Sequence, residues 1–176
     1  MNDFSNSLAA FTDASFHSKS RQRRHKAFGG IVYCSGPYPL YGLMANCSNF
    51  DLTTSDEAEL LVSILAMALS LGNDRIVSVS TDNEPSVQKL YSFQSNLQKP
   101  RGLTDAFLIK AADNMKQQKL GVDFSWLPRE DEFICMAHSL AVNAHDIEPG
   151  VQRVMYPGTA SFELDGVHMK WDELAR

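Results

Sequence analysis

The chain has 176 residues, 44% of them hydrophobic and 21% charged, which supports one domain with a sizeable core and leaves little room for a second. Its net charge of −5 excludes general electrostatic adhesion to nucleic acid, so any such contact must come from a local basic patch. The three cysteines, at 34, 47 and 135, exclude a disulfide-stapled scaffold: the count is odd and no pair has metal-ligand or redox spacing. Cys34 and Cys47 lie in apolar strand-like segments and read as buried free thiols, as in a reducing compartment. Residues Met1–Ser7 have neither a basic n-region nor an apolar h-region, and the longest apolar stretch, Leu60–Leu71, is interrupted by Ser63 and Ser70. It is too short to span a bilayer, so the expectation is a cytoplasmic protein without membrane contact.

In chain order, Ser7–Ser15 reads as a strand ending near Asp13. A basic segment follows, in which Lys19, Arg21, Arg23, Arg24 and Lys26 put five of the 16 basic residues into eight positions, with His25 among them. Ala27–Cys34 reads as a second strand, and Gly29-Gly30 within it predicts either a bulge or a close backbone approach. Pro37 and Pro39 mark a turn before a third strand, Leu40–Cys47, so the first three strands form an antiparallel meander. From Asp56 to Leu71 the period becomes helical, with apolar residues so dense that the helix must be covered on most sides; its least apolar stripe is Glu59, Ser63, Ala66 and Ser70. Arg75–Ser80 is a β-branched strand. Glu84–Phe93 is a short helix with Pro85 early in it, where the missing N–H is tolerated. Leu103–Gln118 reads as a helix and Val122–Trp126 as a fifth strand. Glu132–His145 reads as a helix stopped by Pro149-Gly150. Tyr91, Phe93 and Trp126 read as core residues. Residues 1–150 are assigned to one α/β domain and 151–176 to an extension of uncertain structure, in which Trp171–Arg176 can form a last helical turn. The meander followed by alternating helices and strands predicts a mixed five-stranded sheet, antiparallel and then parallel, with helices on both faces.

Three acidic residues stand at the edges of these elements. Asp13 lies near the end of the first strand, Glu59 in the first turn of the central helix, and Asp82 just past the fourth strand. Carboxylates crowded at one point repel unless a cation neutralises them. Hard oxygen ligands suit Mg²⁺ or Mn²⁺, and two such ions can clamp the attacking and leaving oxygens of a phosphodiester. Each acid also has a plain structural reading: Asp13 and Asp82 as turn residues, and Glu59 as the N3 partner of Asp56 in a capping box.

Thr12-Asp13-Ala14-Ser15, Thr54-Ser55-Asp56-Glu57-Ala58-Glu59-Leu60 and Ser80-Thr81-Asp82-Asn83, in this order and on these element types, resemble the motifs of the type 1 ribonuclease H family across residues 7 to 145. The resemblance implies a ribonuclease H-like fold. It also implies a metal-dependent endonuclease that hydrolyses the RNA strand of RNA·DNA hybrids, leaving a 5′-phosphate and a 3′-hydroxyl. Asp13 would bridge two divalent ions, with Glu59 and Asp82 each holding one side. The family's fourth acidic position departs here. The stretch Trp126-Leu127-Pro128-Arg129-Glu130, followed by Ala137-His138-Ser139-Leu140-Ala141, places His138 where Asp is usual, and the Arg129–His138 spacing is longer than in plant-like members. Either His138 sits at the second-metal side and favours Mn²⁺, which accepts nitrogen better than Mg²⁺, or it is a partly buried helix residue, or Asp131 or Glu132 supplies the carboxylate.

In this fold the connection between the first two strands borders the site, so Lys19, Arg21, Arg23, Arg24 and Lys26 are assigned to substrate phosphates. Discrimination of RNA from DNA requires contacts to 2′-hydroxyls, which the resemblance assigns to Glu59 and to the backbone near Ser15; Asn83 is added to the nucleic-acid contacts. The extra basic helix of some family members has no counterpart, since Lys89, Lys99 and Arg101 are scattered. The competing expectation is a catalytically silent nucleic-acid-binding or protein-interaction module that kept the fold. Against it, a silent module need not keep a repulsive acidic cluster.

Overall fold

In the computed structural model, residues 7–17, 26–70, 74–92, 103–116, 121–158 and 161–176 are described. The basic positions Lys19, Arg21, Arg23 and Arg24, with His25, lie outside them, as do Phe93, Lys99 and Arg101. The strands are β1 (Ser7–His17), β2 (Lys26–Ser35), β3 (Tyr38–Asn46), β4 (Arg75–Thr81), β5 (Asp123–Trp126), β6 (Gly150–Met155) and β7 (Glu163–Met169). The helices are α1 (Ser55–Ala68), α2 (Glu84–Ser92), α3 (Leu103–Lys116), α4 (Glu132–Asn143) and α5 (Trp171–Leu174), with a 3₁₀ turn at Ala144–Asp146 prolonging α4.

The strands form one sheet in the order β5-β4-β1-β2-β3-β6-β7. β1, β2 and β3 are an antiparallel meander turned at Gly36 (φ 57), and β4 and β5 run parallel to β1 on its other side. The sheet therefore has seven strands rather than five. The two additional strands come from the segment whose structure the sequence left open: β6 pairs antiparallel with β3, and β7 with β6. Covering the free edge of β3 satisfies its backbone groups, which an edge strand would leave open. Its own pattern is hard to read, because Gly166 at φ 81 interrupts β7 and the β6–β7 register shifts between Gln152 and Val154. β1 also runs past Asp13 to His17, because β2 continues to pair with it as far as Lys26.

The helices cover both faces. On one, α1, α3 and α5 close a core that includes Ile31, Tyr33, Leu65, Phe107 and Trp171; on the other, α4 packs Ala137 and Leu140 against Val32, Met44 and Val154. α1 is buried on nearly every side from Ala58 to Ala68, as its composition required. Tyr33 donates its hydroxyl hydrogen to the carbonyl of Ala66 at 2.6 Å, and the Trp171 indole N–H reaches the carbonyl of Asn46 at 2.8 Å. Among the described residues, no helix is long and apolar enough to cross a membrane.

Gly29-Gly30 resolves to the close-approach alternative, since the β1–β2 register passes through it without a shift. Successive residues of a strand face opposite sides, and each glycine admits one helix. A Cβ on Gly29 would meet the Val62 side chain of α1, and one on Gly30 would meet the Ala137 carbonyl and Ala141 amide of α4. Val62 can shift, but helix backbone cannot. Gly30→Ala is therefore expected to destabilise the protein by about 1–3 kcal/mol through overpacking, read as a lower urea midpoint, with Gly29→Ala milder.

Candidate active site

β4 pairs with β1 only as far as Thr81, opposite Thr12. Asp13 is thus the first residue of β1 beyond the reach of its parallel neighbour, and Asp82 the first residue past β4. The open end of β4 leaves a notch where side chains from both faces of the sheet can meet. Asp13 pairs with Gly30 and shares its face, towards α4, whereas Thr12 faces α1 and binds Ser63 Oγ at 3.1 Å. Ser63 in turn donates to the Glu59 carbonyl at 3.0 Å, which pins α1 against β1 where Glu59 can enter the notch. One oxygen from each of Asp13, Glu59 and Asp82 lies within 4.8 Å of the others.

Glu59 has no capping role. Thr54 is the N-cap of α1 and accepts from the Glu57 amide at 3.2 Å, while the Glu57 carboxylate accepts from the Thr53 amide at 2.8 Å. That displaces the capping-box reading by two residues and puts Glu59 in the second turn. Its Oε2 is buried and has no hydrogen-bond partner among the described residues. Burial, reinforced by the charges of Asp13 and Asp82, pushes the Glu59 carboxyl up to about 9. Asp13 is also raised, chiefly by burial, against a hydrogen bond from His138 that lowers it and the Asp82 charge that raises it.

Two side chains from beyond β5 complete the site. His138 Nδ1 lies 2.6 Å from Asp13 Oδ2 while the imidazole stays 63% exposed, so His138 is at the cluster and is not a buried helix residue. Arg129 Nε donates to Asp82 Oδ2 at 3.0 Å; the guanidinium is 87% exposed, the Asp82 side chain 7%. These residues and Cys135 line a cavity of about 310 Å³ over Asp13 and Asp82. The Asp131 alternative fails: its carboxylate caps α4 by accepting from the Phe133 and Ile134 amides. Glu132 is outside the cluster, which among the described residues comprises Asp13, Glu59 and Asp82 alone.

The remaining assigned positions are placed as follows. Ser15 Oγ is 3.1 Å from His17 Nε2, two residues along β1 from Asp13, and Lys26 is exposed opposite His17. Asn83 caps α2 by accepting from the Ser86 amide at 3.0 Å and donates to Asp56 Oδ1 at 2.8 Å. Trp126 and Tyr91 are not core: they are 52% and 59% exposed. β5 is the sheet's edge strand, and its neighbours cover one side only. The Trp126 indole N–H donates to the Asp82 carbonyl at 3.1 Å. Arg129 and Cys135 carry no functional assignment from the sequence, and Trp126 is read there as core. The available signal was topological, since carboxyl ends of parallel strands open onto one edge, and the segment after β5 reaches the same edge as Asp82.

Three carboxylates offering hard oxygen donors, one of them Glu59 with its buried Oε2 unpartnered among the described residues, fit a divalent cation such as Mg²⁺ or Mn²⁺. No protein-family model matches the chain, and no curated protein matches it in sequence. Its fold does have solved relatives. LC11-RNase H1, solved in complex with an RNA/DNA hybrid, matches with a TM-score of 0.53 at 20% identity, over 79% of this chain and 96% of that one. RNase H1 from Halobacterium salinarum matches with a TM-score of 0.53 at 20% identity, over 80% of this chain and 98% of that one. LC9-RNase H1, described as a type 1 RNase H with the type 2 active-site motif, matches with a TM-score of 0.55 at 15% identity, over 97% of this chain and 81% of that one. The chain has the ribonuclease H fold, and the likeness to type 1 ribonuclease H read from its acidic motifs holds at that level. A ribonuclease H-fold protein with a carboxylate cluster in the notch between β1 and β4 is the class that fold and site define.

The raised Glu59 carboxyl gives a pH dependence with a definite sign. Its folded value, about 9, lies above the ordinary 4.5, so the fold favours the neutral acid. That stability is fully present below about pH 4.5 and is lost as pH rises through the folded value; Asp13 adds to it in the same direction. In chelator, the melting temperature should therefore fall from about pH 5 towards pH 9. The slope should shrink in Glu59→Gln, and Mg²⁺ or Mn²⁺ should restore more stability at the alkaline end. Thermal denaturation across that range checks it.

Proposed function

We propose that the protein is a ribonuclease H-type endoribonuclease of the type 1 family, which hydrolyses the RNA strand of RNA·DNA hybrids with two divalent ions. The observation that carries this reading is the convergence of Asp13, Glu59 and Asp82 within 4.8 Å, with Glu59 Oε2 buried and unpartnered among the described residues. A fold with no use for a cation would not be expected to retain so repulsive a group. Asp13, Glu59 and Asp82 would hold the ions, with His138 beside Asp13. Bound there, divalent cations supply an activated water and neutralise charge on the departing 3′-oxygen. His138 holds Asp13 Oδ2 from the open side and provides the nitrogen that favours Mn²⁺ over Mg²⁺. Lys26, paired with His17 beyond Ser15 on β1, would bring positive charge to phosphates beside the site, and the same role is proposed from sequence alone for Lys19, Arg21, Arg23 and Arg24, which lie outside the described residues. The products are a 5′-phosphate and a 3′-hydroxyl.

One observation favours the catalytically silent alternative. Arg129 and His138 already meet two of the three carboxylates, which is how a metal-free module would tolerate them. Metal-dependent stabilisation separates the two readings, because ligand binding raises stability by mass action only where a site exists.

A labelled RNA·DNA hybrid, tested beside single-stranded RNA, duplex RNA and duplex DNA, should be cut in its RNA strand alone and only with Mg²⁺ or Mn²⁺. Asp13→Asn should lower the rate at least about 100-fold, the scale expected when a group that holds transition-state charge is lost, while hybrid binding survives. In His138→Asp, the preference should move from Mn²⁺ towards Mg²⁺. Absence of cutting by the folded wild-type protein with either ion contradicts the proposal.

A further inference from the structure

The acid cluster is one end of a longer construction. On β1, Asp13, Ser15 and His17 alternate with inward residues and so share a face. On α4 and the turn that prolongs it, His138 and His145 are seven residues apart, which returns them to one side of the helix after about two turns. The two series meet at both ends: His138 Nδ1 lies 2.6 Å from Asp13 Oδ2, and the His17 and His145 rings stand edge to face with centroids 4.9 Å apart. Four strand residues advance about 13 Å and seven helical residues about 10 Å, so the rails have matched lengths.

The far end is held in place from beneath. His145 stacks on the buried ring of Phe28, with centroids 3.7 Å apart and planes 24° apart, although His145 itself is exposed. His17 is exposed too, is held by Ser15 Oγ at 3.1 Å, and pairs across the sheet with exposed Lys26. Imidazole rings placed this firmly at the surface, beside a lysine and in line with the acid cluster, are arranged to meet a ligand.

We infer that His17 and His145, with Lys26 beside them, form a phosphate-contacting station for the backbone of a hybrid strand passing through the acid site, roughly 10–13 Å away. The inference rests on the proposed hybrid-cleaving function. The separation is the length of the rails, roughly 10–13 Å, short enough for one strand to touch both ends. A histidine ring donates an N–H to a phosphate oxygen, as neutral polar side chains do along nucleic-acid backbones. Burial and the neighbouring His17 hold His145 below the ordinary imidazole range, Lys26 acts in the same direction and Asp146 opposes. His145 is therefore a neutral donor at neutral pH, and Lys26 supplies the charge. Contacts of this kind fix the register of the strand over the carboxylates without reading its sequence.

The test is hybrid binding by fluorescence anisotropy in chelator, with the wild-type protein, His17→Ala/His145→Ala, His145→Phe and Lys26→Ala. The double variant should bind the hybrid about five- to tenfold more weakly, with its Mn²⁺-dependent thermal stabilisation unchanged, because the acid cluster is untouched. His145→Phe keeps the stack on Phe28 and loses only the ring nitrogens, so it should also weaken binding, by about threefold. Lys26→Ala should lower the slope of log affinity against log salt by about 0.7–0.9. Wild-type binding of the hybrid together with unchanged affinity in the double variant overturns this station alone. Full affinity in His145→Phe beside a loss in the double variant overturns the role of the ring nitrogens and leaves His145 as packing. Failure of the wild-type protein to bind any hybrid overturns the underlying function, and the station with it.

Discussion

Mutual repulsion among three carboxylates is the constraint around which the notch is built. Asp13 and Asp82 arrive there from adjacent parallel strands, and Glu59 from a helix on the opposite face from the one Asp13 addresses. They can meet because β4 stops one residue short of Asp13. Had β4 continued to pair, the sheet would separate Glu59 from Asp13. Low exposure then amplifies the repulsion, because charges buried together are poorly screened. Glu59, with no partner for Oε2 among the described residues, bears the largest consequence. Arg129 and His138 pair with Asp82 and Asp13 and leave Glu59 Oε2 without a partner among the described residues.

The rest of the fold maintains that geometry. Thr12 and Ser63 lock α1 to β1, and Gly30 lets the α4 backbone approach β2 so closely that His138 can reach across to Asp13. α4 is in turn started by Asp131, whose carboxylate occupies two N-terminal amides. The acid that seemed available as a fourth ligand is thus what positions the histidine. On the far edge, β6 and β7 remove the free edge of β3, and Trp171 ties the C-terminal turn to the carbonyl of Asn46.

Much of this was legible in the sequence because its signals are local. The meander, the densely apolar helix, the β4 run and the helix beginning at Glu132 each carry their own periodicity, and the three acids stand in short ordered motifs beside them. What was not legible depends on contacts between distant segments. Asp56 with Glu59 and Thr54 with Glu57 have the same spacing, and only the actual start of α1 shows which pair caps it. Trp126 looks like a core residue until β5 proves to be the sheet's edge. Strand β7 hides behind Gly166, whose positive φ breaks the alternation that would reveal it. The pairing of Arg129 with Asp82 follows from two loops sharing one edge of the sheet and leaves no mark in either loop by itself.

The central claim is that the notch exists to hold divalent cations between the three carboxylates. Crystals soaked with Mn²⁺, with diffraction collected at a wavelength where manganese scatters anomalously, test it most directly. The account predicts anomalous density within coordination distance of Asp13, Glu59 and Asp82, at about 2.0–2.3 Å from their oxygens, with Arg129 displaced from Asp82 where the ion takes that oxygen. An anomalous map empty at the notch, with the Asp82–Arg129 and Asp13–His138 pairs intact at millimolar Mn²⁺, would contradict it.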